Sequence, residues 1–176
     1  MEKIKKHFIN NAAIYLVLLT CIVIVCICLF VTRENDTVPH VDTSMFIVVT
    51  PEKALALFEE KDPRILVIGV DDCQATVNYV PYLKIAQAKY GFNTYYLELN
   101  DVDPEDKNFI KLLEKLDMDY NLKGVEGKFK EFIGTTPMTV IIKNNKMVHG
   151  YIGSMNTTTL HTLTKLYGVA TKDEEN

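Results

Sequence analysis

Tryptophan is absent from the 176-residue chain, and its eight glycines assemble no glycine-rich phosphate loop. The four histidines, His7, His40, His149 and His161, are scattered, with no acid or cysteine at metal-ligand spacing. No cofactor and no metal site is therefore read from the sequence. No G-x-S-x-G elbow or comparable triad signature occurs either. Positive charge is short: 19 Lys and Arg face 23 Asp and Glu, a net of −4. That balance argues against nucleic acid as a partner. Cysteine is scarce as well. Cys21, Cys26 and Cys28 share one apolar run, so Cys73 is the single cysteine of everything after residue 31. That part of the chain cannot close a disulfide within itself. Its stability has to come from a packed core, which about 130 residues can supply unaided.

One long hydrophobic run is present. From Ala12 to Val31 ("AAIYLVLLTCIVIVCICLFV") there is no charged side chain. Twenty apolar residues at about 1.5 Å each match the roughly 30 Å hydrocarbon core of a bilayer. The run ends without a small-residue cleavage pattern and is read as an uncleaved signal-anchor spanning the lipid bilayer. Lys3, Lys5 and Lys6 precede it, which places the N-terminus in the cytoplasm and the remainder outside. The expected organisation is a basic cytoplasmic segment over 1–11, a single-pass transmembrane helix over 12–31 and a polar linker over 32–43. A domain over 44–168 and an acidic tail over 169–176 follow. Without Glu2 and the three lysines, 16 basic and 22 acidic side chains remain, a net of −6 that favours solubility.

Within 44–168 the patterning alternates. "MFIVV" predicts a strand, and Thr50-Pro51 starts a helix with Thr50 as N-cap and Pro51 at the first helical position. "ILVIGV" is apolar at every position but Gly69, the pattern of a strand buried on both faces. A helix from Cys73 to about Tyr90 follows, with Tyr79, Leu83, Ala86 and Tyr90 on one face and Gly91 as its stop. "TYYLEL" predicts a strand, and "PEDKNFIKLLEKLD" a helix buried through Phe109, Leu112, Leu113 and Leu116. "MTVII" and "MVHGYIG" predict a hairpin turning at Asn144-Asn145, since asparagine tolerates the positive φ of a tight turn. A helix closed by Gly168 ends the domain. The order βαβαβα, hairpin, α gives an α/β fold: a mixed sheet sandwiched by helices in three layers. Ligands of such sheets approach the carboxyl ends of the strands, which is where Cys73 stands.

A strand, a short turn, Cys73 opening a helix and Pro81 eight residues later resemble the active-site helix of the thioredoxin-like superfamily. "TTPMTVIIKNNKMVHGYIG" resembles the segment in which that family carries a cis-proline, a hairpin and a terminal glycine. The resemblance covers roughly residues 44 to 168 and implies a cis bond at Thr136-Pro137 and Gly153 as the terminal glycine. The stretch "NLKGVEGKFKEFIGTTP" is longer than in a minimal thioredoxin and is similar to the anchored group of bacteriocin transport accessory proteins. Three positions depart from the family. Thr76 replaces the second cysteine, Val67 the buried acid and Asp72 the tryptophan beside the first cysteine. A dithiol cycle within one molecule is thereby excluded, because no second thiol resolves a mixed disulfide.

The candidate site residues are Cys73 as nucleophile and Thr76 as hydrogen-bond donor to it. Thr136 and Pro137 form the platform that, by resemblance, binds an extended peptide or protein client. A helix N-terminus favours a thiolate at Cys73, whereas Asp71 and Asp72 disfavour it. Two readings stand at this level. One is a membrane-anchored, extracytoplasmic monothiol protein acting on client thiols and disulfides through C-x-x-T. The other is a redox-inactive binding module of a membrane export or immunity system, in which Cys73 only packs.

Overall fold

The computed structural model describes residues 16, 19–27, 40–122 and 124–171 of the chain. The chain divides into two units, residues 1–38 and 39–176. In the first unit residues 19–27 are helical and all exposed, among them Leu19, Ile22, Val23, Ile24, Val25 and Ile27. Among the described residues no helix is long and apolar enough to cross a membrane. Much of the span expected over 12–31 lies outside the described residues. So do the segment 1–11, most of the linker 32–43 and residues 172–176.

The second unit carries the fold. Its edge strand β1 (Ile47–Val48) leads into α1 (Pro51–Ala56), where the Thr50 hydroxyl accepts from the Lys53 N–H at 3.4 Å and Pro51 takes the first helical position. A 3₁₀ turn over Leu57–Glu59 follows. β2 (Arg64–Gly69) is buried at every position after Arg64. α2 runs over 17 residues, Gln74–Tyr90, with Pro81 inside it, and stops at Gly91. Gly91 adopts φ 66°, which costs glycine nothing, and returns its N–H to the Gln87 carbonyl. β3 (Thr94–Glu98) and a 3₁₀ turn (Leu99–Asp101) precede α3 (Lys107–Lys115), whose N-cap Asp106 accepts from the N–H groups of Asn108 and Phe109.

Next come β4 (Asp119–Leu122), β5 (Val125–Lys128) and a 3₁₀ turn (Phe129–Phe132). β6 (Met138–Lys143) and β7 (Lys146–Ile152) meet at Asn144 and Asn145, with φ of 53° and 61°, the tight turn expected there. α4 (Thr157–Tyr167) starts at the N-cap Asn156 and ends at Gly168.

The five-stranded sheet has the order β1-β3-β2-β6-β7. β1, β3 and β2 are parallel; β6 is antiparallel to β2, and β7 to β6. The reason β2 is apolar throughout is now plain. Leu66 and Ile68 face a core shared with Ala54, Leu57, Phe58, Phe109 and Leu112. Ile65 and Val67 face the opposite core, with Tyr79, Leu83, Ala86, Tyr90 and Leu160. Helices α1 and α3 cover the first face, α2 and α4 the second. Each of these fully buried aliphatic side chains stabilises the fold by about 1.5–3 kcal/mol.

One element differs from the sequence-based expectation. The stretch 121–137, expected only to be longer than in a minimal thioredoxin, carries β5 and the second half of β4, which form a separate two-stranded antiparallel sheet. Tyr120 is its buried anchor. The ring lies 5.5 Å from Phe129 and 5.7 Å from Phe132, both in the turn that follows.

Candidate active site around Cys73

The site is built from three segments. The first is the turn between β2 and α2, where the Cys73 N–H donates to the Val70 carbonyl at 3.1 Å. Cys73 itself is the N-cap of α2, with extended backbone (φ −80°, ψ 114°), and its carbonyl accepts the first helical bond, from the Val77 N–H. The cap is thus Cys73, one residue after Asp72. The thiol does no capping work, which leaves the sulfur available.

The second segment is the loop before β6. The Thr136–Pro137 bond is cis. The Cys73 thiol points to the Thr136 carbonyl oxygen, with sulfur and oxygen 3.8 Å apart. The third segment follows β7. The Gly153 N–H donates to the Pro137 carbonyl at 2.7 Å, and the Ser154 hydroxyl donates to the Ala75 carbonyl at 3.2 Å. The two bonds tie both halves of the site together, so Cys73, Thr76, Thr136 and Pro137 lie in one place.

Ionisation of Cys73 is a contest of opposing effects. Partial burial pushes the thiol up. The thiolate form accepts from the Thr136 hydroxyl, from the Thr76 N–H and hydroxyl and from the Ala75 N–H, which outweighs burial, and the thiol sits below its ordinary value. Thr76 adds an independent sign. It is fully buried, and its hydroxyl oxygen has no hydrogen-bond partner. A buried hydroxyl without a partner is costly. Ionisation of Cys73 gives it an acceptor one helical turn away.

Three features of the neighbourhood were not foreseen in the sequence: the partners of Asp71, the place of Tyr96 and the role of Gly69 beside it. Asp71 is occupied rather than loose: His40 Nδ1 approaches its Oδ2 at 2.5 Å, and the Val41 N–H donates to its Oδ1 at 2.7 Å. These contacts, His40 first, hold its carboxyl below the usual range. Tyr96 of β3 is 1% exposed and donates to Glu98 at 3.2 Å. Burial above all, then Glu98, Asp71 and Cys73, push its phenol well above the ordinary value. Gly69 makes room for it, because a Cβ there would stand 2.5 Å from the Tyr96 hydroxyl. A cleft of about 320 Å³ opens here, lined by Asp71, Tyr96, Glu98 and Asp101 among others. The carboxyl end of β3 was the available signal; only the end of β2 was read that way. Val67, in the position of the absent acid, is fully buried and pairs with Tyr96 and Thr139. Among the described residues no group of three or more His, Cys, Asp or Glu side chains could hold a metal ion.

No family model matches the sequence, and no curated protein matches it. Solved structures do. A proposed oxidoreductase with a thioredoxin fold superposes with a TM-score of 0.50 at 13% identity, over 68% of this chain and 94% of that one. Chloroplastic thioredoxin z gives 0.49 at 11% identity, over 70% and 94%. Mitochondrial thioredoxin 3 from Saccharomyces cerevisiae gives 0.47 at 14%, over 69% and 95%. Identities this low speak for architecture alone. Strand order β1-β3-β2-β6-β7 and the first of these superpositions agree: the chain has the thioredoxin fold.

Proposed function

We propose that this chain is a membrane-anchored, extracytoplasmic thioredoxin-like protein that acts on client thiols and disulfides through Cys73 alone. The observation that carries this reading is the sulfur at the N-cap of α2, held 3.8 Å from the Thr136 carbonyl and free of capping duty. In the reaction, the Cys73 thiolate attacks one sulfur of a client disulfide. The client S–S bond breaks, a mixed disulfide forms and the second client sulfur leaves as thiolate. Thr76 cannot resolve the adduct, so an external thiol attacks the mixed disulfide and releases Cys73. Thr76 donates to the thiolate, and Thr136 with Pro137 provides the surface along which an extended client lies.

Anchoring is supported by the uncharged run from Ala12 to Val31, by the three lysines before it and by residues 19–27, helical with apolar side chains exposed all round. Tagging each end of the full chain and applying protease from outside the cell tests the topology: only the C-terminal tag should be lost.

The chemistry is tested by comparing wild type with Cys73→Ser on non-reducing gels. Thiol-sensitive adducts present in wild type and missing from the variant are expected. The missing second cysteine favours a second reading, a redox-inactive binding module of a membrane export or immunity system. Equal cellular function of both proteins with no adducts would establish that module and remove the thiol reading.

A further inference from the structure

Ser154, an exposed residue just past β7, directs its hydroxyl at the first turn of the active-site helix and donates to the Ala75 carbonyl at 3.2 Å. The residue before it holds the other side of the site: the Gly153 N–H donates to the Pro137 carbonyl at 2.7 Å. Gly153 can turn the chain this way because its φ of 94° lies in the left-handed region. With the Cys73 sulfur 3.8 Å from the Thr136 carbonyl oxygen, these contacts close a ring. It runs from Cys73 along α2 to Ala75, across to Ser154, back to Gly153, across to Pro137, and from Thr136 to the sulfur again.

The Ser154 bond lands on one particular peptide. The Ala75 carbonyl and the Thr76 N–H belong to the same planar unit. With Cys73 as N-cap, Thr76 is the third residue of α2, so its N–H is one that a helix start leaves without an intrahelical partner. An N-cap side chain meets the second and third of these N–H groups, here those of Ala75 and Thr76. Both are among the contacts that favour the Cys73 thiolate. A hydrogen bond accepted by a peptide carbonyl polarises the unit and strengthens the N–H at its other end as a donor. A hydroxyl tethered through Gly153 to Pro137 also fixes where that N–H points, which loose water on the carbonyl does not. We propose that Ser154 is a positioning residue for the Cys73 thiolate, acting through the Ala75–Thr76 peptide without touching the sulfur. The inference rests on Cys73 being a working thiol and names a residue that sets its reactivity from the far side of the helix turn.

The test is the rate of iodoacetamide modification of Cys73 in the full chain in detergent, from pH 6 to 10, followed by mass spectrometry of the Cys73 peptide. Ser154→Ala should shift the profile to higher pH and be about threefold slower than wild type at pH 7, the size expected of one modest hydrogen bond. At the alkaline end, where both thiols are fully ionised, the two rates should meet. Ser154→Thr keeps a hydroxyl and should bring the profile back to that of wild type. A role confined to holding the fold predicts something else: a lower urea midpoint for Ser154→Ala with no shift of the profile. Superimposed profiles of wild type and Ser154→Ala therefore overturn the proposal. A Ser154→Thr profile that follows Ser154→Ala overturns it too, as does a Ser154→Ala rate lowered equally at every pH, which would report access to the sulfur and not its ionisation. Failure of the thiol reading is separable: adducts would be missing from cells while the Ser154→Ala profile still shifted.

Discussion

Cys73 and Thr136 are 63 residues apart in the chain, yet the Cys73 sulfur stands 3.8 Å from the Thr136 carbonyl oxygen. The two groups belong to different layers of the site, one at a helix N-terminus and one in the loop before β6. Their contact gives the sulfur two states. The neutral thiol directs its proton to the carbonyl. The thiolate is met by the Thr136 hydroxyl and by the donors at the start of α2, the Thr76 N–H and hydroxyl and the Ala75 N–H. Either form has a partner.

Thr76→Val separates reactivity from stability. The Thr76 hydroxyl is buried and unpartnered while Cys73 is neutral, so its removal should raise stability by about 1 kcal/mol in urea unfolding below pH 7. The same change takes a donor from the thiolate and should slow alkylation of Cys73 at pH 7 by about threefold or more. A loss of stability together with unchanged alkylation would show that the hydroxyl does not face the sulfur.

Gly69→Ala should be one of the costliest small substitutions in β2. Its Cβ would stand 2.5 Å from the Tyr96 hydroxyl, 2.9 Å from Tyr96 Cε2 and 2.8 Å from Thr76 Cγ2. Tyr96 would have to shift towards the cleft it lines, at the expense of its bond to Glu98. A destabilisation of about 2–3 kcal/mol is expected in chemical denaturation. Tyr96→Phe removes the worst of the contacts, so the double variant should recover part of the loss. Equal stability of the single and double variants would refute this.

The fold could be read because its strongest signals are local. Tyr79, Leu83, Ala86 and Tyr90 repeat at helical spacing and are all buried, and Gly91 and Gly168 end helices in left-handed conformations. The β4–β5 pair gives no comparable signal. β4 alternates over four residues only, with Tyr120 buried and Leu122 half-buried, and β5 opens on two exposed residues, Val125 and Glu126, so period-two alternation stays too short to read. The proximity of Cys73 to Thr136 came from resemblance alone, since periodicity carries nothing across 63 residues. His40 with Asp71, and Gly69 with Tyr96, were out of reach for the same reason. The first pair depends on how the entering segment packs, the second on the parallel register that sets Val67 against Tyr96 and Gly69 against Glu98.

The β6–β7 turn offers a backbone test. Asn144 and Asn145 both hold positive φ, and Asn145 in addition accepts from Lys115 at 2.8 Å, which makes Asn144 the cleaner probe. Asn144→Gly should leave the midpoint of denaturation nearly unchanged. Asn144→Val, with a branched Cβ forced into the left-handed region, should cost about 1–2 kcal/mol. Identical midpoints for the two variants would mean that the turn re-forms in another geometry.

His149 of β7 supplies the pH prediction. Burial holds its imidazole below the ordinary value of 6.5. Nε2 is buried without a hydrogen-bond partner, and the ring lies 5.5 Å from Tyr167 at the end of α4. The folded chain therefore binds this proton less readily than the unfolded chain does. The resulting stability is complete above pH 6.5 and declines as the pH falls from there toward the folded-state value. Asp71 and Asp117 act in a different range: both are held below 3.8, by His40 and Lys130 respectively, so what they contribute is lost only on acidification below that value. The thermal midpoint of wild type should accordingly drop between pH 7 and pH 5. His149→Phe keeps an aromatic ring against Tyr167 but has nothing to protonate, and its midpoint should drop less over the same interval while still falling below pH 4. Parallel curves for the two proteins between pH 7 and pH 5 would show that a proton reaches His149 in the folded state as easily as in the unfolded chain.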